Sequence, residues 1–290
     1  MKVERLTSKV AAQRLACFAD RATPKHKPRI SLPKTIPTGF SKLDKLLGGG
    51  LQMKGLTILA ARTAQGKTNL AIDIACNVAR MDHPVYFSSL DTSKLNLLQR
   101  LRLRTGHAEN QNYPSQAVDL SNKTPSKKPP WELPLVITYS ESTLELLAGS
   151  CRDLNYEWAL GKWRPIRRTA RTFIPLVVID SLQQLQVATK RFANRRMKVA
   201  EILLQAEALA AERNVTILMV SQLPRRPKGH IRDFTPTKVD LKRAGIWGRF
   251  DTAILLHRAG AYYSDSLNRR PKLLVIRRPE GLTRKCEIQF

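Results

Sequence analysis

The sequence predicts an α/β fold: a mostly parallel central sheet flanked by helices, with antiparallel edge strands at the C-terminus. Three observations predict it. Short apolar runs of strand length recur along the chain, as in strands buried on both faces. Longer stretches with apolar residues at helical spacing lie between them. The last runs follow one another through short connections, which favours antiparallel pairing.

The elements follow in order. Residues 1–35 read as a basic, Pro-containing arm in which Lys25, Lys27, Arg29 and Lys34 alternate with Pro24, Pro28 and Pro33. That pattern favours an extended segment, although Val3 to Phe18 has a weak helical spacing. From Ile36 the texture changes to that of a folded domain, 36–290. Leu56 to Ala60 is a buried strand, and Thr68 to Arg80 is a helix carrying Leu70, Ile72, Ile74 and Val78. Val85 to Ser88 is a second strand. Ser93 to Arg104 is a second helix with Ser93 as its cap. Residues 106–132 contain Pro114, Pro125, Pro129 and Pro130 and read as a loop. A strand at Leu135 to Thr138 precedes a helix from Ser142 to about Leu160, then a basic segment, Gly161 to Arg171. Leu176 to Ile179 is a strand, Met197 to Arg213 a helix, and Val215 to Val220 a strand. Pro224 to Arg249 reads as one long basic loop. Ala253 to Leu256 and Leu273 to Ile276 are strands, and a last strand ends at Phe290.

The 290 residues and 42% hydrophobic content suffice for one large core. The chain has no apolar run of ~18 residues and no signal-like N-terminal block, so no membrane association is expected. The cysteines Cys17, Cys76, Cys151 and Cys286 are widely spaced, as reduced thiols of a cytoplasmic or nucleoid-associated protein would be. Secretion is not expected; an organellar location stays open. Lys and Arg number 50 against 23 acidic residues, a net charge of +27. An enzyme of small metabolites has no use for such self-repulsion, whereas a polyanion partner accounts for it. The alternatives are a basic surface without specific use, or anionic membrane contact.

The chemistry starts at Ala61-Arg62-Thr63-Ala64-Gln65-Gly66-Lys67-Thr68, between the first predicted strand and the first predicted helix of the domain. A tight turn feeding a helix N-terminus aims backbone N–H groups at a phosphate chain. Gly66 lets the backbone approach, Lys67 bridges the terminal phosphates, and Thr68 offers a hydroxyl to Mg²⁺. This predicts an ATP and Mg²⁺ site, although Ala61 stands where the general motif has Gly. Asp180 ends the strand Val177-Val-Ile-Asp180 and is placed to hold Mg²⁺, the alternative being an Asp that starts a turn. Asp91, just beyond the second strand, is a candidate to orient the attacking water; it could instead cap the next helix. Gln222, after Ser221, is a candidate sensor of the γ-phosphate, or a polar strand end satisfying its own turn.

These stretches resemble the RecA-like ATPase core of DnaB-type replicative helicases. The resemblance is carried by Ile36-Pro-Thr-Gly-Phe-Ser-Lys-Leu43, Ala60-Ala-Arg-Thr-Ala-Gln-Gly-Lys-Thr68, Phe87-Ser-Ser-Leu-Asp91, Val178-Ile-Asp-Ser-Leu-Gln183, Val220-Ser-Gln-Leu-Pro-Arg225 and Asp240-Leu-Lys-Arg-Ala-Gly245. It implies a RecA-like P-loop NTPase, a DNA helicase that hydrolyses ATP. It also implies self-association into a ring, usually a hexamer, around single-stranded DNA, with possible replication-fork or loader partners. A neighbouring subunit is implied to deliver a basic finger. Where the family has Gly-Lys-Gln-Arg-Asn-Gly, this chain has Ile276-Arg-Arg-Pro-Glu-Gly281, so the candidates are Arg277 and Arg278. The basic loop after the sensing strand implies DNA contact by Arg225, Arg226, Lys228, Arg232, Lys238, Lys242 and Arg243, the alternative being a solvated charge run. The chain departs from the family in three further ways. Asp91 replaces a glutamate, Lys242-Arg243-Ala244 changes the charge of a mixed stretch, and the arm is too short for the family's helical N-terminal domain. Two other functions compete with the helicase: a RecA-, RadA- or KaiC-like recombination or repair ATPase that does not unwind, and a weakly hydrolysing regulatory module that binds ATP and DNA.

Overall fold

Alternation along each central strand divides the core into two layers. In the strand Leu56–Ala61, Leu59 and Ala61 pack on one side and Leu56, Ile58 and Ala60 on the other. Val220 and Leu218 oppose Ile217 and Met219 in the same way. Apolar side chains in both phases require cover on both faces, which helices on either side of the sheet provide here. The computed structural model describes residues 34–104, 133–139, 142–150, 174–187, 192–224, 235–258, 271–277 and 283–288. These belong to one unit, Lys34–Phe290.

The strands are β1 (Thr35–Ile36), β2 (Leu51–Gln52), β3 (Leu56–Ala61), β4 (Val85–Ser89), β5 (Leu135–Thr138), β6 (Leu176–Asp180), β7 (Thr216–Gln222), β8 (Thr252–His257), β9 (Lys272–Arg277) and β10 (Thr283–Glu287). The helices are α1 (Ser41–Leu47), α2 (Lys67–Arg80), α3 (Lys94–Arg104), α4 (Arg195–Glu212) and α5 (Lys238–Arg243). The main sheet has eight strands in the order β10-β9-β8-β3-β7-β6-β4-β5. All neighbours from β8 to β5 pair in parallel, whereas β9 and β10 pair antiparallel. The predicted class and its antiparallel edge are therefore observed. Residues of α1, α2 and α3 enter the core layer of one face, and those of α4 and α5 enter the other.

Several boundaries differ from expectation. The long basic loop is interrupted by α5, because Thr237 and Asp240 form a capping box and Leu241 is fully buried. The small β1–β2 sheet and α1 precede β3; their runs are too short for sequence periodicity to reveal. The helix α4 starts two residues early, capped by Asn194, whose Oδ1 accepts from Met197 N at 3.0 Å. The last strand stops at Glu287 rather than at Phe290. Helical backbone is present at 144–150, and the remainder of the expected 142–160 helix lies outside the described residues. So do the arm up to residue 33 and the basic segment 161–171.

The Pro-Thr-Gly turn is fastened to α2. Asp44 Oδ1 accepts from Thr38 N at 2.8 Å and from Thr38 Oγ1 at 2.7 Å, while Asn77 Nδ2 donates to Thr38 O at 3.2 Å. Gly39 sits at φ +84 with Asn77 so close that a Cβ would lie 2.5 Å from its Nδ2. Gly39→Ala therefore combines backbone strain with overlap and is expected to cost about 2–4 kcal/mol, read as a lower urea midpoint at unchanged slope.

Candidate active site

Strand β3 ends at Ala61 and α2 begins at Lys67, so residues 62–66 form the turn at the C-terminal edge of the sheet. Two residues of this turn take left-handed backbone, Ala64 at φ 62 and Gly66 at φ 89. Such reversals let successive N–H groups converge on one anion, and the N-terminus of a fourteen-residue helix adds its dipole there. Ala61, which departs from the general motif, is fully buried, so its methyl group belongs to the core rather than to the phosphate cavity.

Three side chains of the turn reach outward to other elements. Thr63 Oγ1 accepts from Gln222 Nε2 at 2.8 Å, at the end of β7. Gln65 Oε1 accepts from the backbone N–H of Arg258, just past β8. The Arg62 guanidinium is 3.1 Å from Asp240 Oδ1 of α5, with the two side chains 5% and 2% exposed. What Arg62 can offer a phosphate is thus its backbone N–H; its charge is committed elsewhere.

Asp180 ends β6, two strands away from β3, and its side chain is fully buried. Neither carboxylate oxygen has a well-formed hydrogen bond among the described residues. Burial pushes this carboxyl above its usual range; the Thr68 hydroxyl and the Lys67 ammonium pull it down, the Asp91 charge pushes it up, and Arg100 pulls it down. Lys67 and Thr68 open α2 just after β3, Asp180 ends β6 and Asp91 follows β4 with its N–H on Asp180 O, so the parallel register of these strands gathers all four at one end of the sheet. A buried acceptor with two open oxygens beside a hydroxyl suits a hard divalent cation, which would remove the cost of its burial.

Asp91 lies exposed in the turn after β4, where its N–H is 3.3 Å from Asp180 O. The capping alternative is not what is seen: α3 starts with Leu97 N donating to Ser93 O at 3.0 Å, two residues further on. Gln222 is held by Gln183, whose Oε1 accepts from Gln222 N at 3.1 Å while its Nε2 donates to Gln222 O at 3.2 Å and Ser221 Oγ at 2.9 Å. Gln183, in the short 3-10 turn Leu182–Gln184 after β6, thus clamps that turn to β7 beside the sensor. Its place in a resembling stretch gives it no role from sequence alone, and the same holds for Asp240. The Thr-x-x-Asp pattern ending at Asp240 was the available signal for the latter.

Arg277 is elsewhere. It pairs with Thr252, which pairs with Thr57 near the start of β3. It therefore sits at the opposite edge of the sheet, roughly 15 Å of strand away from the phosphate turn. Its guanidinium lies by Gly48, where a Cβ would be 3.1 Å from Nη1. Arg278 lies outside the described residues, as do Arg225, Arg226, Lys228 and Arg232. Lys238, half-buried, and the exposed Lys242 and Arg243 are on α5, with the Lys242 ammonium 4.8 Å above the Trp247 ring.

The family model described as DnaB-like helicase C terminal domain matches residues 35–290. The chain is 30% identical over 269 residues to the replicative DNA helicase DnaB of Leifsonia xyli subsp. xyli, covering 88% of this chain and 54% of that one. It is 30% identical over 262 residues to that of Geobacillus stearothermophilus, with the same coverage of 88% and 54%. The chain thus spans about half the length of these curated relatives. Among solved structures, a DnaB-like replicative helicase superposes with a TM-score of 0.70 at 20% identity, covering 95% of this chain and 64% of that one. The shared architecture is the RecA-like P-loop NTPase fold.

Proposed function

Because the chain belongs to the DnaB-like helicase C-terminal domain family, we propose that it is the ATP-driven core of a ring-forming motor on single-stranded DNA. The observation that carries this reading is the meeting of the phosphate turn, Lys67 and Thr68 with the buried, open carboxylate of Asp180. Backbone N–H groups of residues 62–66 would cradle the phosphates, Lys67 would reach the terminal one, and Thr68 and Asp180 would hold Mg²⁺. Bound Mg²⁺ supplies charge neutralisation of the triphosphate. Asp91, exposed at the same edge, orients the attacking water, and Gln222 reads the γ-phosphate from its clamp on Gln183.

Arg277 cannot serve the phosphate turn of its own chain from the far edge of the sheet. It serves the site of a neighbour, with or in place of Arg278, which is the physical reason for a ring, a hexamer in this reading. Single-stranded DNA meets the basic residues after β7, including Lys238, Lys242 and Arg243, through its phosphates.

The discriminating measurement is ATP turnover with and without oligo-dT, followed by separation of a forked duplex. The motor reading expects DNA-stimulated turnover and unwinding, with affinity for oligo-dT falling steeply as salt rises. Stimulated turnover without unwinding would favour the recombination-type ATPase. Turnover that is near zero and unresponsive to DNA would favour the regulatory module and overturn the proposal.

A further inference from the structure

We infer that Arg62 is a positioning residue that links the phosphate turn to α5, so that nucleotide occupancy is transmitted to the basic residues of that helix. The inference rests on the motor reading only for the identity of what α5 binds. An arginine inside a phosphate turn is expected to spend its charge on the phosphates. Here the guanidinium is turned away and faces Asp240 Oδ1 at 3.1 Å, with both side chains almost fully buried. Asp240 is itself fixed: its Oδ2 accepts from Thr237 N at 2.8 Å and from Thr237 Oγ1 at 3.1 Å, which closes the start of α5. The next residue along, Leu241, is anchored in the core, while Lys242 and Arg243 on the same short helix are exposed. The chain from phosphate turn to basic surface is therefore Arg62, Asp240 and one turn of helix.

A pair buried to this degree holds one geometry, because departure of either partner leaves an uncompensated charge. No nitrogen of the Arg62 guanidinium makes a well-formed hydrogen bond among the described residues, so the charge contact of Nη2 with Asp240 Oδ1 is what balances and orients this buried guanidinium. Any movement of the turn on closing over phosphates must then move α5, and by reciprocity a ligand on α5 must alter nucleotide affinity by the same factor. The link is separate from the Gln222–Thr63 contact, which joins the turn to β7 rather than to α5.

The test compares the full wild-type chain with two variants that remove the charge link. One is Arg62→Met combined with Asp240→Leu, which replaces the pair by apolar groups. The other is Asp240→Asn, which keeps an acceptor for Thr237. Amide hydrogen exchange over residues 238–246 and the Kd for oligo-dT are measured without nucleotide and at saturating AMP-PNP. The expected result is slowed exchange in 238–246 and a shift of about tenfold in Kd for the wild type, both lost in folded variants; Arg62→Lys, which keeps the charge, restores part of each response. Variants that retain both wild-type responses would overturn the inference, as would a wild-type α5 indifferent to AMP-PNP. If no oligo-dT binds but the exchange response exists and is lost with the pair, the link stands and the motor reading falls.

Discussion

Lys67→Ala is expected to lower ATP turnover by at least about a hundredfold and to abolish strand separation. Lys67 is the first residue of α2, following a turn whose φ-positive Gly66 is the helix cap. Its ammonium acts directly on Asp180, lowering that carboxyl against the burial that raises it. The same charge, at the mouth of a helix N-terminus, is what opposes charge developing on a transferring phosphoryl group. A guanidinium is planar and larger, so Lys67→Arg is expected to fail almost as badly. The fold should not register either change. Lys67 is only half-buried, and a melting temperature within about 2 °C of the wild type is expected for both. Phosphate release measured beside the thermal transition separates a lost function from a lost fold.

The second large effect concerns stability. Replacing Asp240 alone by Leu leaves Arg62 buried without its partner, in a position 5% exposed. Breaking a buried pair from one side costs about 3–5 kcal/mol, because the remaining charge keeps its desolvation penalty and loses its compensation. The Thr237 contacts that close α5 are lost as well, adding the cost of a helix cap. The double replacement Arg62→Met with Asp240→Leu should recover most of that loss. Urea titrations of the two single variants and the double variant give the coupling directly.

Legibility followed the physics of each signal. Strands β3, β6, β7 and β8 were readable because parallel strands covered on both faces are continuously apolar, and Ile58, Val177, Leu218 and Leu255 are all fully buried. The phosphate turn was readable because Gly66, Lys67 and Thr68 stand at a strand–helix junction. The short elements escaped. Helix α5 is one and a half turns within a charged stretch, and β1 and β2 are two residues each, below the length at which periodicity speaks. Pairings between distant residues were illegible for a different reason. Nothing local in Arg62 announces that its charge goes to Asp240, nor in Gln65 that it accepts from the N–H of Arg258. The placement of Arg277 is of the same kind: its position just after an apolar run is visible, but only the antiparallel register of β9 puts it at the far edge.

That placement gives the most direct test of a site shared between neighbouring subunits. Subunits carrying Lys67→Ala keep their arginines but cannot turn over at their own phosphate turn. Subunits carrying both Arg277→Ala and Arg278→Ala keep the turn but deliver nothing to a neighbour. Each preparation alone should be nearly inactive. Mixed and reassembled, they form junctions in which an intact turn meets intact arginines, and ATP turnover should return to a substantial fraction of the wild type. Mixtures that stay as inactive as their components would contradict the shared site and, with it, the ring.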